Sequence, residues 1–361
     1  MKKSFLKTSI IAFSLLTGTF ISCKKSMQKS NFSTSSQTTS KSDTSFFPIR
    51  KPIVFITNHD KGTSDFYASA STYFKSKKYQ IINNTSSLEE IINWINTNTT
   101  QNPYGEIHIV ALNNPWKGMS LKTVMNGEPI TTISLNKHLS KGTLPSIKSG
   151  ITKDSRIIFH SSDIGSNQSL INLLKSAFTS SETPKIITSP YYSIFGGQFS
   201  NYYLAKPYYV FYPTANSPGK TDLSKEIAKK YPTEKEIEWF EALTNEYERY
   251  IGEAYTFPCN VPIEWEFDYY NSNHTNHTIP NFHNSKEIIV WINNNKNLIA
   301  ELERLQIPIK KFRWSYTIKN NKLTIKGKAT VLCVLKPLTK PYGDLKYLEP
   351  DTNNKCLYTI N

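Results

Sequence analysis

Short apolar runs alternate with amphipathic segments over the first two-thirds of the chain. The runs are unbroken, as in strands that are buried on both faces, and the segments between them carry apolar side chains at helical spacing. One such segment begins with Ser86 and Glu89 in the register of a capping box. The pattern therefore predicts an α/β fold, a doubly wound, mostly parallel sheet covered by helices on both faces. The predicted strands are 51–57, 79–82, 106–112, 156–159, 185–188 and 208–212, and the predicted helices are 64–77, 86–95 and 168–178.

The pattern changes after residue 213. Two long segments, 233–251 and 288–305, have helical periodicity, and 257–265 is an extended aromatic stretch. Residues 312–335 alternate with a period of two around Asn320-Asn321, which predicts a β-hairpin. The sequence thus predicts an α/β domain over 50–213, followed by an α+β accessory module over 214–361.

The N-terminus has the features of an export signal. A lysine-containing start and the apolar residues 8–20 predict a signal peptide over 1–22. Phe20-Ile21-Ser22-Cys23 resembles a bacterial lipobox, which implies that Cys23 is the first mature residue and carries lipid. A plain signal peptide with an incidental cysteine is the alternative. Residues 23–49 are rich in Ser, Thr and Lys and too poor in apolar side chains to fold, which predicts a tether. The expected location is the bacterial cell envelope, on the outer membrane, facing the periplasm or the cell surface.

The formal charge of +15 does not by itself indicate a partner. The lysines are scattered among Asn, Ser and Thr, so the sequence favours a solvated basic surface and no binding of nucleic acid. No glycine-rich dinucleotide or Walker pattern is present, and we expect no cofactor. His274, His277 and His283 lie in a polar stretch near Glu266 and Asp268. Their spacing lacks the helical register of zinc proteases, so a solvated loop is favoured over a metal site.

The stretch 155–165 predicts a strand-to-helix corner, the position at which α/β domains place ligands and nucleophiles. His160 and Ser162 are two residues apart and would share a face of a regular strand, so a Ser–His contact is conceivable there. His59, which follows the first strand and precedes Asp60, could reach the same edge. His108 lies mid-strand and is expected to be a core residue. The alternative interpretation of Ser161-Ser162-Asp163 is a helix cap.

The order of these segments resembles the caspase-like cysteine peptidase clan, with its gingipain-like and CHAT-type bacterial branches. The resemblance rests on the strand 106–112 with Asn113-Asn114-Pro115-Trp116, an insertion, and the strand and corner 157–165. It implies a catalytic histidine after the third strand and a nucleophilic cysteine after the fourth. Leu112 and Ser162 occupy these two positions. Because the reaction needs a thiolate beside an imidazole, the resemblance implies a catalytically degenerate member.

A pseudopeptidase that binds a protein or peptide partner is therefore the predicted function. The predicted binding rim consists of Asn113, Asn114, Trp116, Ser161, Asp163 and Gly165. An active hydrolase that uses Ser162 with His160 or His59 is the alternative.

Overall fold

The computed structural model describes residues 50–57, 64–99, 102–197, 200–246, 248, 252–269, 278–338 and 349–361. The predicted signal peptide, the lipidation at Cys23 and the tether lie outside these residues. Within the described ranges, no helix is both long enough and apolar enough to cross a bilayer.

The chain forms an α/β protein with a six-stranded, mostly parallel sheet and a C-terminal antiparallel sheet. The strands are β1 (Ile53–Ile56), β2 (Gln80–Asn83), β3 (Glu106–Val110), β4 (Asn113–Asn114), β5 (Gly118–Lys122), β6 (Pro129–Ile130), β7 (Arg156–His160), β8 (Lys185–Thr188), β9 (Tyr192–Phe195), β10 (Tyr202–Pro213), β11 (Tyr255–Asp268), β12 (Arg313–Lys319), β13 (Lys322–Pro337) and β14 (Thr359–Ile360). The helices are α1 (Ser64–Ser76), α2 (Leu88–Thr97), α3 (Thr132–Ser140), α4 (Gln168–Phe178), α5 (Lys220–Lys230), α6 (Trp239–Thr244), α7 (Ser285–Asn293) and α8 (Lys296–Leu305).

The first sheet has the strand order β14-β8-β7-β3-β1-β2, and all neighbours except β14 and β8 are parallel. The predicted mostly parallel sheet is therefore confirmed. The sixth strand is β14, at the end of the sequence, whereas the predicted strand 208–212 belongs to β10 in the other sheet. That assignment was wrong because an isolated apolar run does not reveal the strand with which it pairs.

Helices cover both faces of this sheet. On one face, α2 and α4 pack their apolar stripes against strand residues such as Phe55, Ile109 and Phe159. On the other face, α1 contributes Phe74, and the start of the antiparallel sheet contributes Tyr202. The central strands β1, β3 and β7 therefore bury both of their faces, as the unbroken apolar runs predicted, whereas the edge strand β2 is partly exposed.

The antiparallel sheet is built around the 16-residue strand β13. Along one edge β13 pairs with β11, and along the other it pairs first with β12 and then with β10, which also pairs with β9. The predicted hairpin is confirmed, because β12 and β13 are joined at Asn320 and Asn321, both of which have positive φ. A third, small sheet, β4-β5-β6, lies in the predicted insertion.

Three helix predictions need correction. The segment 288–305 is two helices, because Asn295 caps α8 by accepting hydrogen bonds from Asn297 N and Leu298 N. The helix predicted over 233–251 is reduced, in its described part, to the short α6. The capping box of α2 is displaced by one residue: Ser87 is the N-cap, and the Glu90 carboxylate accepts from Ser86 N.

Candidate functional site

The predicted corner lies where β7 ends, beside the end of β3. Ser161 Oγ is buried and donates a hydrogen bond to Ala111 O at 2.6 Å, which links the two strand ends. Asp163 is in the left-handed region, with φ 62°, and precedes a 3-10 turn. The cap of α4 is Asn167, which accepts from Leu170 N, so the helix-cap interpretation of Ser161-Ser162-Asp163 does not describe this corner.

Gly165 is held by close packing against the chain that follows β8. Its N–H donates to Ser189 O at 2.9 Å. A Cβ at this position would lie 2.4 Å from Pro190 N, a backbone atom that cannot turn aside. The geometry therefore gives Gly165 a packing function within the corner.

A cavity of about 770 Å³ lies in front of this corner, and we call it the rim cavity. Four of the predicted rim residues line it, Asn113, Asn114, Trp116 and Asp163, whereas Ser161 and Gly165 do not. The starts of α3 and α4 form further walls. The opposite wall comes from α8, which follows in the C-terminal half of the chain and contributes Glu301, Arg304 and Leu305.

The two asparagines of the rim are engaged in holding their own loop. Asn113 Nδ2 donates to Ser162 O at 2.7 Å, and Asn114 Oδ1 accepts from Trp116 N at 2.9 Å. The Trp116 ring packs edge-on against Tyr209, with ring centroids 5.1 Å apart, and remains half-buried. The amides thus shape the rim, and the indole ring is the aromatic surface among the side chains that line the cavity.

The two positions to which the resemblance assigned a dyad do not line the rim cavity. Leu112 is half-buried and packs against the apolar cluster beneath α1, and its N–H donates to Tyr67 Oη at 3.3 Å. Ser162 is only 4% exposed, and its carbonyl accepts the bond from Asn113. Neither side chain is among those that line the cavity.

His160 has two other partners in place of Ser162. Its Nε2 lies 2.9 Å from His108 Nδ1, and its Nδ1 lies 3.3 Å from Tyr202 Oη. Both ring nitrogens are therefore occupied within the described part of the chain. His59, the other histidine of the hydrolase alternative, lies outside the described residues.

His108 and His160 belong to a buried polar cluster that was not predicted from the sequence. The two rings are stacked at an interplanar angle of 15°, and Tyr202 Oη lies 3.0 Å from Tyr358 Oη. His108 Nε2 lies 3.5 Å from Glu106 Oε2, an electrostatic contact at the outer limit of hydrogen-bond distance. The sequence signal for this cluster was one histidine within the third predicted strand and another directly after the fourth.

Burial keeps the imidazoles of this cluster neutral. Desolvation lowers the pKa of His108, and desolvation with the adjacent His108 lowers the pKa of His160 well below its ordinary value. The pKa of Glu106 is lowered by its contact with His108 and also by the Arg156 guanidinium, 2.9 Å away. An ionised carboxylate thus lies beside the neutral ring of His108.

The histidine-rich stretch of the C-terminal half carries less information. His274 and His277 lie outside the described residues. His283 is exposed, and its backbone N–H donates to Glu287 Oε2 at the start of α7. Within the described ranges, no group of three or more His, Cys, Asp or Glu side chains is arranged to hold a metal ion.

Comparison with known proteins adds no relative: no family model, no curated protein and no solved structure matches the chain.

Proposed function

We propose that this chain is a lipid-anchored protein of the bacterial cell envelope whose α/β domain is a degenerate caspase-like domain that binds a protein or peptide partner. In this proposal Cys23 carries the lipid, and residues 23–49 hold the domain away from the outer membrane. Support for the domain type comes from the strand order of the first sheet. Its parallel core, β2-β1-β3-β7-β8, is the 2-1-3-4-5 order of a doubly wound domain.

The observation that carries the proposal is the position of the rim cavity. The cavity lies at the carboxyl ends of β3 and β7, where doubly wound domains bind their ligands. The positions that would carry a dyad hold Leu112 and Ser162, which contribute nothing to its lining. Such a cavity retains a place for a ligand, and its described lining contains neither a histidine nor a cysteine.

The chemistry of the rim cavity suits a peptide segment. Its volume of about 770 Å³ lies within the range of ligand sites, which admits a few side chains. Trp116 offers an aromatic anchor, a residue type that dominates binding energy in interfaces. Arg304 adds an exposed guanidinium, whereas Glu301 is already engaged by Trp265 Nε1 at 2.8 Å. A partner segment with an apolar side chain followed by a carboxylate would fit this arrangement.

The first prediction concerns Trp116. Selection from a displayed peptide library on the purified chain should yield binders, and Trp116→Ala should weaken them by about tenfold or more, since an aromatic anchor of this kind supplies roughly 2 kcal/mol. Affinity is measured by isothermal titration calorimetry. Phe257→Ala, at an exposed aromatic residue that does not line the rim cavity, is the matched control and should leave affinity unchanged. An equal loss of affinity in both variants, or peptides whose affinity is unchanged by Trp116→Ala, would contradict the assignment of this cavity.

The hydrolase alternative is tested on the same protein. Activity probes for serine and cysteine hydrolases and a peptide substrate library should give no label and no turnover. Turnover that Ser162→Ala abolishes would overturn the pseudopeptidase proposal and favour a serine hydrolase that uses His160 or His59.

A further inference from the structure

A second cavity, separate from the rim cavity, lies on the opposite side of β3 and β7 from α2 and α4. It has a volume of about 410 Å³ and is bounded by the end of α1, the amino ends of β3 and β7, and residues 349–353. We call it the histidine cavity, because His108 and His160 are among its lining residues. The volume falls within the range of small-molecule sites.

One buried polar atom of this cavity has no hydrogen-bond partner. His108 is only 5% exposed, and its Nε2 makes no hydrogen bond within the described part of the chain. The nearest acceptor is Glu106 Oε2, at 3.5 Å. Buried polar atoms in proteins are nearly always bonded, so an orphaned nitrogen that borders a cavity points to a ligand or a bound water.

The hydrogen bonds behind His108 determine what this nitrogen offers. An ionised Glu106 can only accept, so the nearby His108 Nε2 carries the proton and His108 Nδ1 accepts. His160 Nε2 must then donate to His108 Nδ1, and His160 Nδ1 accepts from Tyr202 Oη, which in turn accepts from Tyr358. The reverse direction would make the same three bonds but would place two acceptors, His108 Nε2 and the ionised Glu106 Oε2, 3.5 Å apart. His108 therefore presents an N–H donor to the cavity.

Four of the five charged side chains that line the cavity are paired with one another, and the fifth, Asp351, accepts hydrogen bonds from Asn353 N and Nδ2 at 2.9 Å and 3.0 Å. Lys77 Nζ lies 2.7 Å from Glu349 Oε2, and Arg156 bonds both Glu106 and Thr352, at 2.9 Å and 2.7 Å. An anion would have to separate one of the two ion pairs, and a cation would have to displace the Asn353 groups from Asp351. A neutral ligand avoids that desolvation penalty.

Aromatic rings form the remaining wall. Phe74 and Tyr79 line the cavity and pack against the His108 ring, with centroids 5.2 Å away in each case. Tyr73, which also lines it, donates its hydroxyl proton to Glu349. A flat ligand with C–H groups on its face and hydroxyls on its edge matches such a mixture of rings and carboxylates.

We propose that the histidine cavity binds a neutral, polyhydroxylated small molecule of about the size of a monosaccharide. A hydroxyl is a neutral group that can accept from His108 Nε2–H and donate to the Glu106 carboxylate through a single atom. Its ring face packs against Tyr79. The proposal is independent of the rim cavity, because none of these residues lines that cavity.

The test is saturation-transfer NMR on the full-length chain with D-glucose, D-galactose and N-acetyl-D-glucosamine as probes, beside sodium acetate, inorganic phosphate and tetramethylammonium. At least one sugar should receive saturation, and the three ions should neither receive it nor compete. His108→Asn keeps an amide near the position of Nδ1 and removes only the donor at Nε2. It should weaken sugar binding roughly fivefold, the effect of one buried hydrogen bond. His138→Asn, on α3, is the matched control and should bind as the unaltered chain does.

The proposal is overturned if no sugar receives saturation, if an ion displaces it, or if His108→Asn binds as tightly as the control. Should His108→Asn fail to fold by circular dichroism, Tyr79→Leu replaces it, because Tyr79 is half-buried at the wall and its loss removes the packing surface. Unchanged sugar binding by Tyr79→Leu would then overturn the proposal. Peptide binding at Trp116 is measured separately, so failure of one site does not conceal the other.

Discussion

The pair His108 and His160 shows what burial does to single residues in this fold. Two imidazoles in stacked contact share one hydrogen bond of 2.9 Å, and burial lowers the pKa of both. The groups that face them are Glu106, whose charge opposes the shift at His108, Arg156, which reinforces it, and the neutral hydroxyl of Tyr202. Burial keeps both rings neutral at an acidic pH at which the unfolded chain would protonate them. A fall in pH therefore shifts the equilibrium towards the unfolded chain.

The resulting prediction is a loss of stability in mild acid. A histidine whose folded pKa is depressed contributes its full stability above the unfolded value of about 6.5 and loses it as pH falls towards the folded value. Each excluded proton costs about 1.4 kcal/mol per pH unit within that window. Urea unfolding followed by circular dichroism should therefore show a lower midpoint at pH 5 than at pH 7.5.

Two variants separate this effect from general acid sensitivity. His160→Gln replaces the ring with a neutral hydrogen-bonding group and should reduce the drop in midpoint between pH 7.5 and pH 5. His283→Gln removes an exposed histidine and should leave the drop intact. A drop of equal size in both variants would assign the effect to other groups.

At the scale of single residues, the sequence predicted which side chains are buried better than it predicted their hydrogen-bond partners. The buried position of His108 followed from its place in the middle of an apolar strand, and it is confirmed. Its partner could not be predicted, because the register that pairs Val110 with His160 is set by packing between β3 and β7. Tyr358 could not be predicted either, since it lies 156 residues beyond Tyr202, to which it bonds.

At the scale of elements, the turn between β12 and β13 shows local sequence determining local structure. Asn320 and Asn321 have φ values of 52° and 57°, as both central residues of a type I′ turn require. After glycine, asparagine is among the residues that best tolerate the left-handed region. The hairpin could therefore be predicted from the sequence. The boundary at Asn295 was missed because helical periodicity continues across the break between α7 and α8.

The turn gives a prediction at Asn321. Asn321→Gly should raise the free energy of unfolding by about 0.5 kcal/mol, because glycine is favoured at the second central position. Asn321→Ala should lower it by roughly 1 kcal/mol, the strain of a left-handed L-residue. Both are measured by urea denaturation.

Asn136→Ala provides the baseline for this pair. Asn136 is exposed on α3 and has ordinary helical geometry, so its loss should shift the midpoint very little. If Asn321→Ala matched Asn136→Ala, the turn would not contribute the conformational restriction assigned to it.

At the scale of the whole molecule, each of the two sheets contains strands from both sides of the predicted boundary at residue 213. β10 lies before the boundary and pairs with β13 after it, while β14 returns to pair with β8. The described residues from Arg50 to Asn361 pack as one compact unit. Sequence periodicity predicted most of these strands but not which of them pair across residue 213. Pairing between distant strands depends on packing that leaves no local signal in the sequence.

Because strands pair across residue 213, we predict that residues 50–213 do not fold cooperatively on their own. The fragment lacks β14 and Tyr358, and β10 loses the partner along most of its length. Near-ultraviolet circular dichroism should show weak tertiary signal, and urea unfolding should be broad. The chain 46–361 should show a single sharp transition under the same conditions. A sharp transition of the short fragment would establish it as an autonomous domain.

The late return of β14 also has a consequence for the time course of folding. The strand that completes the edge of the first sheet is at residues 359–360, more than 150 positions after its partner β8. Contacts so distant in sequence form slowly, because the intervening chain must lose much of its freedom first. During synthesis the edge of β8 therefore stays open until residues 359–360 have emerged. A chain destined for export, as we propose here, would lack this completed edge, and with it part of its folded stability, until those residues are made.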